Sequence, residues 1–113
     1  MSIKIYDVFE LNRILRKLLE QQASYKIQTA FKLYNLIKWL DETEEFIFKR
    51  MKMVFGEERT DEQNPLYMAF LSSQMPFTET SLTIDELLDT ENDVNVGLKD
   101  VEILEKMLPK AEI

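Results

Sequence analysis

The fold is decided by residues 24–56, which read SYKIQTAFKLYNLIKWLDETEEFIFKRMKMVFG. No proline or glycine interrupts this stretch before Gly56, and its apolar residues recur every three to four positions, the period of an amphipathic α-helix. We predict one long helix over 24–55, with Ser24 as its N-cap and Gly56 as its terminating residue. Its main apolar stripe is formed by Ile27, Phe31, Tyr34, Ile37, Leu40, Phe48, Met51 and Phe55, and is widened by Leu33, Leu36, Ile47 and Val54.

The residues that precede this helix predict a strand and a first helix. Apolar and polar side chains alternate over residues 1–6, which is typical of a short strand. Asp7 is followed three residues later by Glu10, and this spacing is that of a capping box. We therefore predict a helix over 7–22 that packs beside the long helix.

The residues that follow Gly56 predict an exposed connection and a short helix. Residues 57–64 contain no apolar side chain, so we interpret them as an exposed connection. Asn64 followed by Pro65 is a typical helix start, and Pro76 ends that element. A strand over 67–71 is the alternative for this segment.

The last third of the chain predicts two more helices and a second strand. Thr83 and Glu86 have the capping-box spacing, which predicts a helix over 84–89. Residues 94–98 alternate and predict a strand that pairs with residues 3–6. Asp100 is predicted to cap a final helix, which Pro109 ends.

These elements predict a single α+β domain over 1–113 that is predominantly helical. It combines a helical pair (1–56), an acidic C-terminal part (57–113) and a small two- or three-stranded sheet. The length of 113 residues suits one domain.

The composition excludes most catalytic and cofactor chemistry. The sequence contains no cysteine and no histidine, so it offers no thiolate nucleophile, no thiolate-bound metal and no imidazole base. The alternating residues of the segment Asp89–Asp100 imitate the ligand spacing of a calcium loop. However, Val94 occupies the position that requires glycine, and Asp100 occupies that of the bidentate glutamate. We predict no enzyme activity, no cofactor and no metal site.

Charge is distributed unevenly along the chain. Residues 1–55 contain ten Lys/Arg and seven Asp/Glu, whereas residues 56–113 contain four and fourteen, which together give the net charge of −7. The acidic half is either a solvated face or docks on the basic half, within one subunit or between subunits. Because the whole chain is acidic, we do not expect it to bind nucleic acid.

The second half of the long helix gives the strongest indication of binding. Its apolar residues cover more than one face, so it must be buried on several sides, either by the C-terminal segments or by a second protein. Self-association through this region is our leading hypothesis. The candidate interaction residues are Phe46, Ile47, Phe48, Met51, Val54, Phe55, Tyr67 and Phe70.

Several short stretches of this sequence are similar, in residue types and in their order along the chain, to stretches of a known protein family. They are 3–6 (IKIY), 11–15 (LNRIL), 23–26 (ASYK), 33–37 (LYNLI), 54–57 (VFGE), 86–88 (ELL) and 94–96 (VNV). With them the chain resembles a family of small proteins from tailed bacteriophages and prophages, from which residues 64–77 depart. The resemblance implies a phage or prophage origin. The family carries no established activity, so no functional residue is transferred.

The sequence therefore predicts a non-enzymatic protein–protein interaction protein, a phage-encoded structural or assembly component. The alternative is a small acidic inhibitor of a host protein that binds through its acidic C-terminal half, and imitation of the phosphate charges of DNA is one way in which such an inhibitor can act. We find no apolar run of about 20 residues and no signal-peptide pattern, so we expect no membrane association and a place in the host-cell cytoplasm or the virion.

Overall fold

The computed structural model describes residues 2–21, 24–56, 64–78, 80–89 and 95–108. Within these ranges the chain is mostly helical and contains one two-stranded antiparallel sheet, which confirms the predicted α+β class. Its elements are β1 (Ser2–Lys4), α1 (Ile5–Glu20), α2 (Ile27–Phe55), α3 (Asn64–Leu71), β2 (Gln74–Pro76), α4 (Ile84–Leu88) and α5 (Leu98–Met107).

The long helix α2 ends as predicted but begins later. Gly56 adopts a φ of 78°, and its N–H donates a hydrogen bond of 2.9 Å to the carbonyl oxygen of Lys52. This left-handed conformation is the reason for a glycine at this position. The predicted N-cap, Ser24, is wrong because residues 24–26 are not helical and Lys26 occupies the N-cap position. Tyr25 packs against the core there, and this packing overrides the local capping pattern.

The face that α2 turns to the core differs from the predicted one. Leu33, Leu36 and Leu40 are buried, whereas Phe31 and Tyr34 are each 63% exposed. At 100° per residue the two sets lie on opposite sides of the helix. The N-terminal half of α2 therefore carries two apolar stripes. The core stripe combines Leu40 of the predicted main stripe with Leu33 and Leu36, which were predicted only to widen it.

Helix α1 begins two residues before the predicted start. Asp7 lies in its first turn and is not the N-cap, which is Lys4. The N–H of Ile5 donates to the carbonyl oxygen of Ser73 at 3.0 Å, so a tertiary hydrogen bond replaces a side-chain cap. Because Lys4 pairs with Gln74, this hydrogen bond between the next two residues extends the pairing of β1 with β2.

The sheet has a different second strand from the predicted one. β1 pairs with β2, with Ile3 opposite Met75 and Lys4 opposite Gln74. The predicted strand over 94–98 is wrong in its described part, because Leu98 begins α5, and Val94 lies outside the described residues. Ile3 is buried in this arrangement. The chain continues from α3 into β2, which lies directly beside β1.

The helices that follow α2 were predicted in place, but not all of their ends were. α3 confirms the helix and excludes the strand alternative over 67–71, but it ends at Leu71, and Pro76, its predicted stop, lies in β2. At α4 the N–H of Glu86 donates to Thr83 Oγ1 at 3.1 Å, and the N–H of Thr83 donates to Glu86 Oε1 at 3.2 Å. The predicted capping box is therefore confirmed.

Helix α5 begins earlier than predicted. Gly97 is its N-cap and Asp100 lies in the first turn, where Asp100 accepts a hydrogen bond from Arg13 instead of capping the helix. The predicted stop at Pro109 lies outside the described residues, as do residues 57–63 of the connection predicted over 57–64, whereas Asn64 begins α3.

One hydrophobic cluster joins both halves of the chain. Val8, Leu11 and Leu15 of α1 pack with the buried leucines of α2 and with residues of the acidic C-terminal part. Those C-terminal members include Leu82, Leu87 and Leu104, which are fully buried. The acidic part is therefore a component of the same core as the helical pair.

Candidate protein-interaction site

The eight predicted interaction residues divide between the core and the surface. Ile47 and Phe55 are buried, and Met51, Tyr67 and Phe70 are partly buried. The Phe55 ring lies 5.8 Å from that of Tyr67 and 6.0 Å from that of Phe70, both in edge-to-face geometry. α3 therefore covers one side of the end of α2 within the same chain.

The other three predicted residues remain at the surface. Phe46 is 68% exposed, and Phe48 and Val54 are more than half exposed, although the Phe48 ring lies 5.3 Å from that of Phe9. Met53, which was not among the eight, is 78% exposed and lies seven residues after Phe46, on the same side of the helix. Phe48 lies on the other side of α2, towards α1, so we call Phe46, Met53 and Val54 the C-terminal patch.

A second exposed apolar surface lies on the N-terminal half of α2. It consists of Ile27, Phe31 and Tyr34, spaced four and three residues apart, and we call it the outer stripe. Sequence reasoning missed it as a surface because the same spacing also predicts a core face. The sequence does contain a signal that the outer stripe is exposed. Leu33, Leu36 and Leu40 form a second apolar stripe on the opposite side of α2, and only one of the two can face the core.

A groove between α1 and α2 adjoins the outer stripe. It has a volume of about 590 Å³, and its apolar wall is formed by Leu19 and by α2 residues that include Ala30 and Ile37. Tyr25 also lines it, and its buried hydroxyl has no hydrogen-bond partner among the described residues. Burial raises the pKa of this hydroxyl above its ordinary value.

Polar contacts fix the distance between α1 and α2 at one end of the groove. Asp41 accepts a hydrogen bond from Asn12 Nδ2 at 3.0 Å and forms an ion pair with Arg16. The Arg16 guanidinium lowers the pKa of Asp41 below its ordinary value, whereas burial raises the pKa of Glu44. Asp41 is therefore committed to holding α1 against α2.

Ion pairs connect the acidic half of the chain to the basic half. Lys32 Nζ donates to both carboxylate oxygens of Glu86, at 3.0 and 3.1 Å. Two further pairs of this kind join Arg13 to Asp100 at 2.9 Å and Lys26 to Asp89 at 3.6 Å. The acidic half was predicted either to form a solvated face or to dock on the basic half. These three carboxylates dock on the basic half within one subunit.

The Lys32–Glu86 pair predicts a pH-dependent contribution to stability. The hydrogen bonds from Lys32 lower the pKa of Glu86, so this contribution is complete above the ordinary glutamate pKa and is lost as the pH falls through the lowered value. Glu86→Gln retains a side chain suited to the capping box but removes the charge. We expect it to lower the free energy of unfolding by about 1 kcal/mol at neutral pH and by progressively less as the pH falls through the lowered Glu86 pKa. Urea unfolding over a series of pH values measures this, and an equal loss at every pH would contradict the assignment.

The structure gives no support to a metal site in the part of the chain that it describes. Asp89 and Asp100 form ion pairs with Lys26 and Arg13, and Glu91 and Asp93 lie outside the described residues. Within the described ranges no group of three or more acidic side chains is placed to hold a metal ion. Nor does any helix in those ranges have the length and apolar character needed to cross a membrane.

No protein-family model, curated protein or solved structure matches this chain. The resemblance to small phage proteins therefore stays a prediction from sequence. The features of the structure that bear on function are the two exposed apolar surfaces of α2, the C-terminal patch and the outer stripe.

Proposed function

We propose that this protein is a non-enzymatic protein–protein interaction protein, a structural or assembly component of a bacteriophage. It acts by burying the C-terminal patch against another protein subunit. The observation that carries the proposal is the exposure of Phe46, Met53 and Val54 on neighbouring positions within the last ten residues of one helix.

Single apolar residues are common at protein surfaces, but clustered ones indicate contact with a partner. Phe46 and Met53 project from the same side of α2, and Val54 follows Met53 directly. Covering these three side chains would remove about 300 Å² of apolar surface from water, somewhat more than a third of what one partner contributes to a standard interface.

The assignment to a phage assembly is supported by the sequence resemblance alone. The alternative, an acidic inhibitor that imitates DNA, requires free carboxylates on its binding face. Glu86, Asp89 and Asp100 each pair with a cation of the same chain, so these three do not supply such a face. This observation favours an apolar over an electrostatic mode of binding.

The proposal is tested by quantitative affinity capture from the source cell with the double variant Phe46→Ser/Met53→Ser. The matched control is Tyr6→Ser/Leu98→Ser, which removes two apolar side chains of comparable exposure from other elements. We expect the patch variant to capture its partner roughly tenfold less well and the control to behave as wild type.

Washing with salt separates the two candidate functions. Capture through an apolar patch should persist at high ionic strength, whereas an acidic binding face should release its partner as salt screens the charges. Partner capture that is unchanged in the patch variant would contradict the proposed function.

A further inference from the structure

The outer stripe and the groove beside it are left without a role by the proposed function. Ile27, Phe31 and Tyr34 project from the side of α2 that faces away from the core, and each is at least 63% exposed. Ala30 and Ile37 lie on the adjoining flank, where they form part of the groove wall. Together they make a continuous apolar face along about three turns of helix.

The dimensions of this face suit a helix. The groove follows α2 from Ala30 to Glu42, which at 1.5 Å per residue is about 18 Å. A long open trench of this kind accepts a row of side chains from a helix, as in helix-in-groove recognition, better than it encloses a compact small molecule. The apolar face itself, from Ile27 to Ile37, is about 15 Å long.

We propose that a second copy of this chain covers the outer stripe, with the two α2 helices antiparallel and a two-fold axis between Phe31 and Tyr34. Phe31 of each copy then lies level with Tyr34 of the other, so the stripe is complementary to itself. The inference depends on the proposed function only in that the chain acts by protein contact. It concerns a different surface from the C-terminal patch.

The charges at the two ends of the stripe favour this arrangement. α2 begins at Lys26 with no capping side chain among the described residues and no acidic residue in its first turn, and the Asp89 carboxylate that pairs with Lys26 at 3.6 Å is itself exposed, so the positive end of the α2 dipole is only partly offset. Glu42 is exposed and forms no ion pair with any described residue. In the antiparallel pair, Glu42 lies about one turn beyond Lys26 of the other copy, next to that positive end.

A parallel pair would have the opposite electrostatics. It would place Glu42 beside Glu42 and Lys26 beside Lys26, and like charges at such distances repel. The second copy is therefore expected to bind in the antiparallel direction.

The area of the face sets the expected strength of association. The three stripe residues, with the exposed parts of Leu19, Ala30 and Ile37, offer about 500 Å² on each copy. The total of about 1,000 Å² lies at the lower limit of specific interfaces. We therefore expect a reversible dimer whose population depends on protein concentration.

Sedimentation velocity of the full chain over an increasing concentration series tests the dimer. Phe31→Ser/Tyr34→Ser should weaken dimerisation at least roughly tenfold, and Glu42→Lys should weaken it roughly threefold or more at low salt. Phe46→Ser/Met53→Ser and Glu105→Lys are the matched controls for the apolar and charge changes, and both should dimerise as wild type does. Circular dichroism of each variant checks that its helix content is unchanged.

The orientation is tested by a distance between two spin labels. Because the chain has no cysteine, Glu45→Cys introduces a single labelling site on the exposed side of α2. The antiparallel pair places the two labels about 40 Å apart, whereas a parallel pair places them within about 20 Å. This measurement leaves the outer stripe itself intact.

Three results would overturn the inference. They are a wild-type monomer at every concentration, a dimer that survives Phe31→Ser/Tyr34→Ser, and a short distance between the labels. If dimerisation is lost in the Phe46→Ser/Met53→Ser variant but not in the stripe variant, this inference fails while the proposed function stands. If the dimer forms through the stripe but no partner depends on the C-terminal patch, the proposed function fails and this inference stands.

Discussion

Leu40→Ala is expected to lower the free energy of unfolding by about 3 kcal/mol, because it opens a cavity in the centre of the core. Leu40 is fully buried on the side of α2 that packs with α1 and the C-terminal helices. Only partial relaxation is possible around it, since its neighbours Leu36 and Leu11 are held in the same cluster. Urea or thermal unfolding of the purified variant measures the loss.

Phe31→Ala is the control on the opposite face of the same helix. The Phe31 side chain is 63% exposed, so its removal should change the free energy of unfolding by less than about 0.5 kcal/mol. The reverse order, with a large loss at Phe31 and a small one at Leu40, would mean that α2 turns its other stripe to the core.

Phe55→Ala is expected to cost about 3 kcal/mol for a related reason. The Phe55 ring is buried at the end of α2 and contacts the rings of Tyr67 and Phe70. Truncating it removes the apolar contact that holds α3 against α2, so α3 should also exchange its amide hydrogens faster. Unfolding measurements and hydrogen exchange over 64–71 test the two effects.

Phe46→Ala is the matched comparison, because it removes the same side chain nine residues earlier on the same helix. Phe46 is 68% exposed, so stability should be nearly unchanged, and the expected loss is in partner binding. An equal destabilisation by the two variants would show that the predicted interaction residues belong to a single buried cluster.

Elements bounded by specific local chemistry were predictable from the sequence. The end of α2 depends on a left-handed residue, and Gly56 is one of only two glycines in the chain. The start of α4 depends on reciprocal hydrogen bonds between Thr83 and Glu86, which lie three residues apart. Both signals are contained within a few residues, so no tertiary information is needed to recognise them.

Other boundaries were missed because contacts distant in sequence decide them. Ser24 and Asp7 are residue types that favour the N-cap position, but neither caps its helix. The start of α2 is set by the packing of Tyr25 against the core. The start of α1 is set by the hydrogen bond between Ile5 and Ser73. The partner of β1 was missed for the same reason. Strand pairing depends on which segment the rest of the fold places beside β1. A three-residue strand such as β2 is too short to be recognised from an alternating pattern.

The candidate site was only partly predictable. Periodicity identifies apolar stripes but does not say which of two opposite stripes meets the core, so Phe31 and Tyr34 were assigned to the wrong side. The excess of apolar residues around 46–55 did indicate that more than one surface must be covered. The structure divides that set, with Phe55 covered by α3 and Phe46 exposed.

Helix α2 packs one apolar side into the core, and we propose that it presents its exposed apolar surfaces to other protein molecules. The sedimentation coefficient of the wild-type chain, followed over about a hundredfold range of concentration, tests the outer stripe most directly. A rise from the monomer towards the dimer value that Phe31→Ser/Tyr34→Ser abolishes is the predicted result. A constant monomer value at every wild-type concentration would contradict the claim for this stripe.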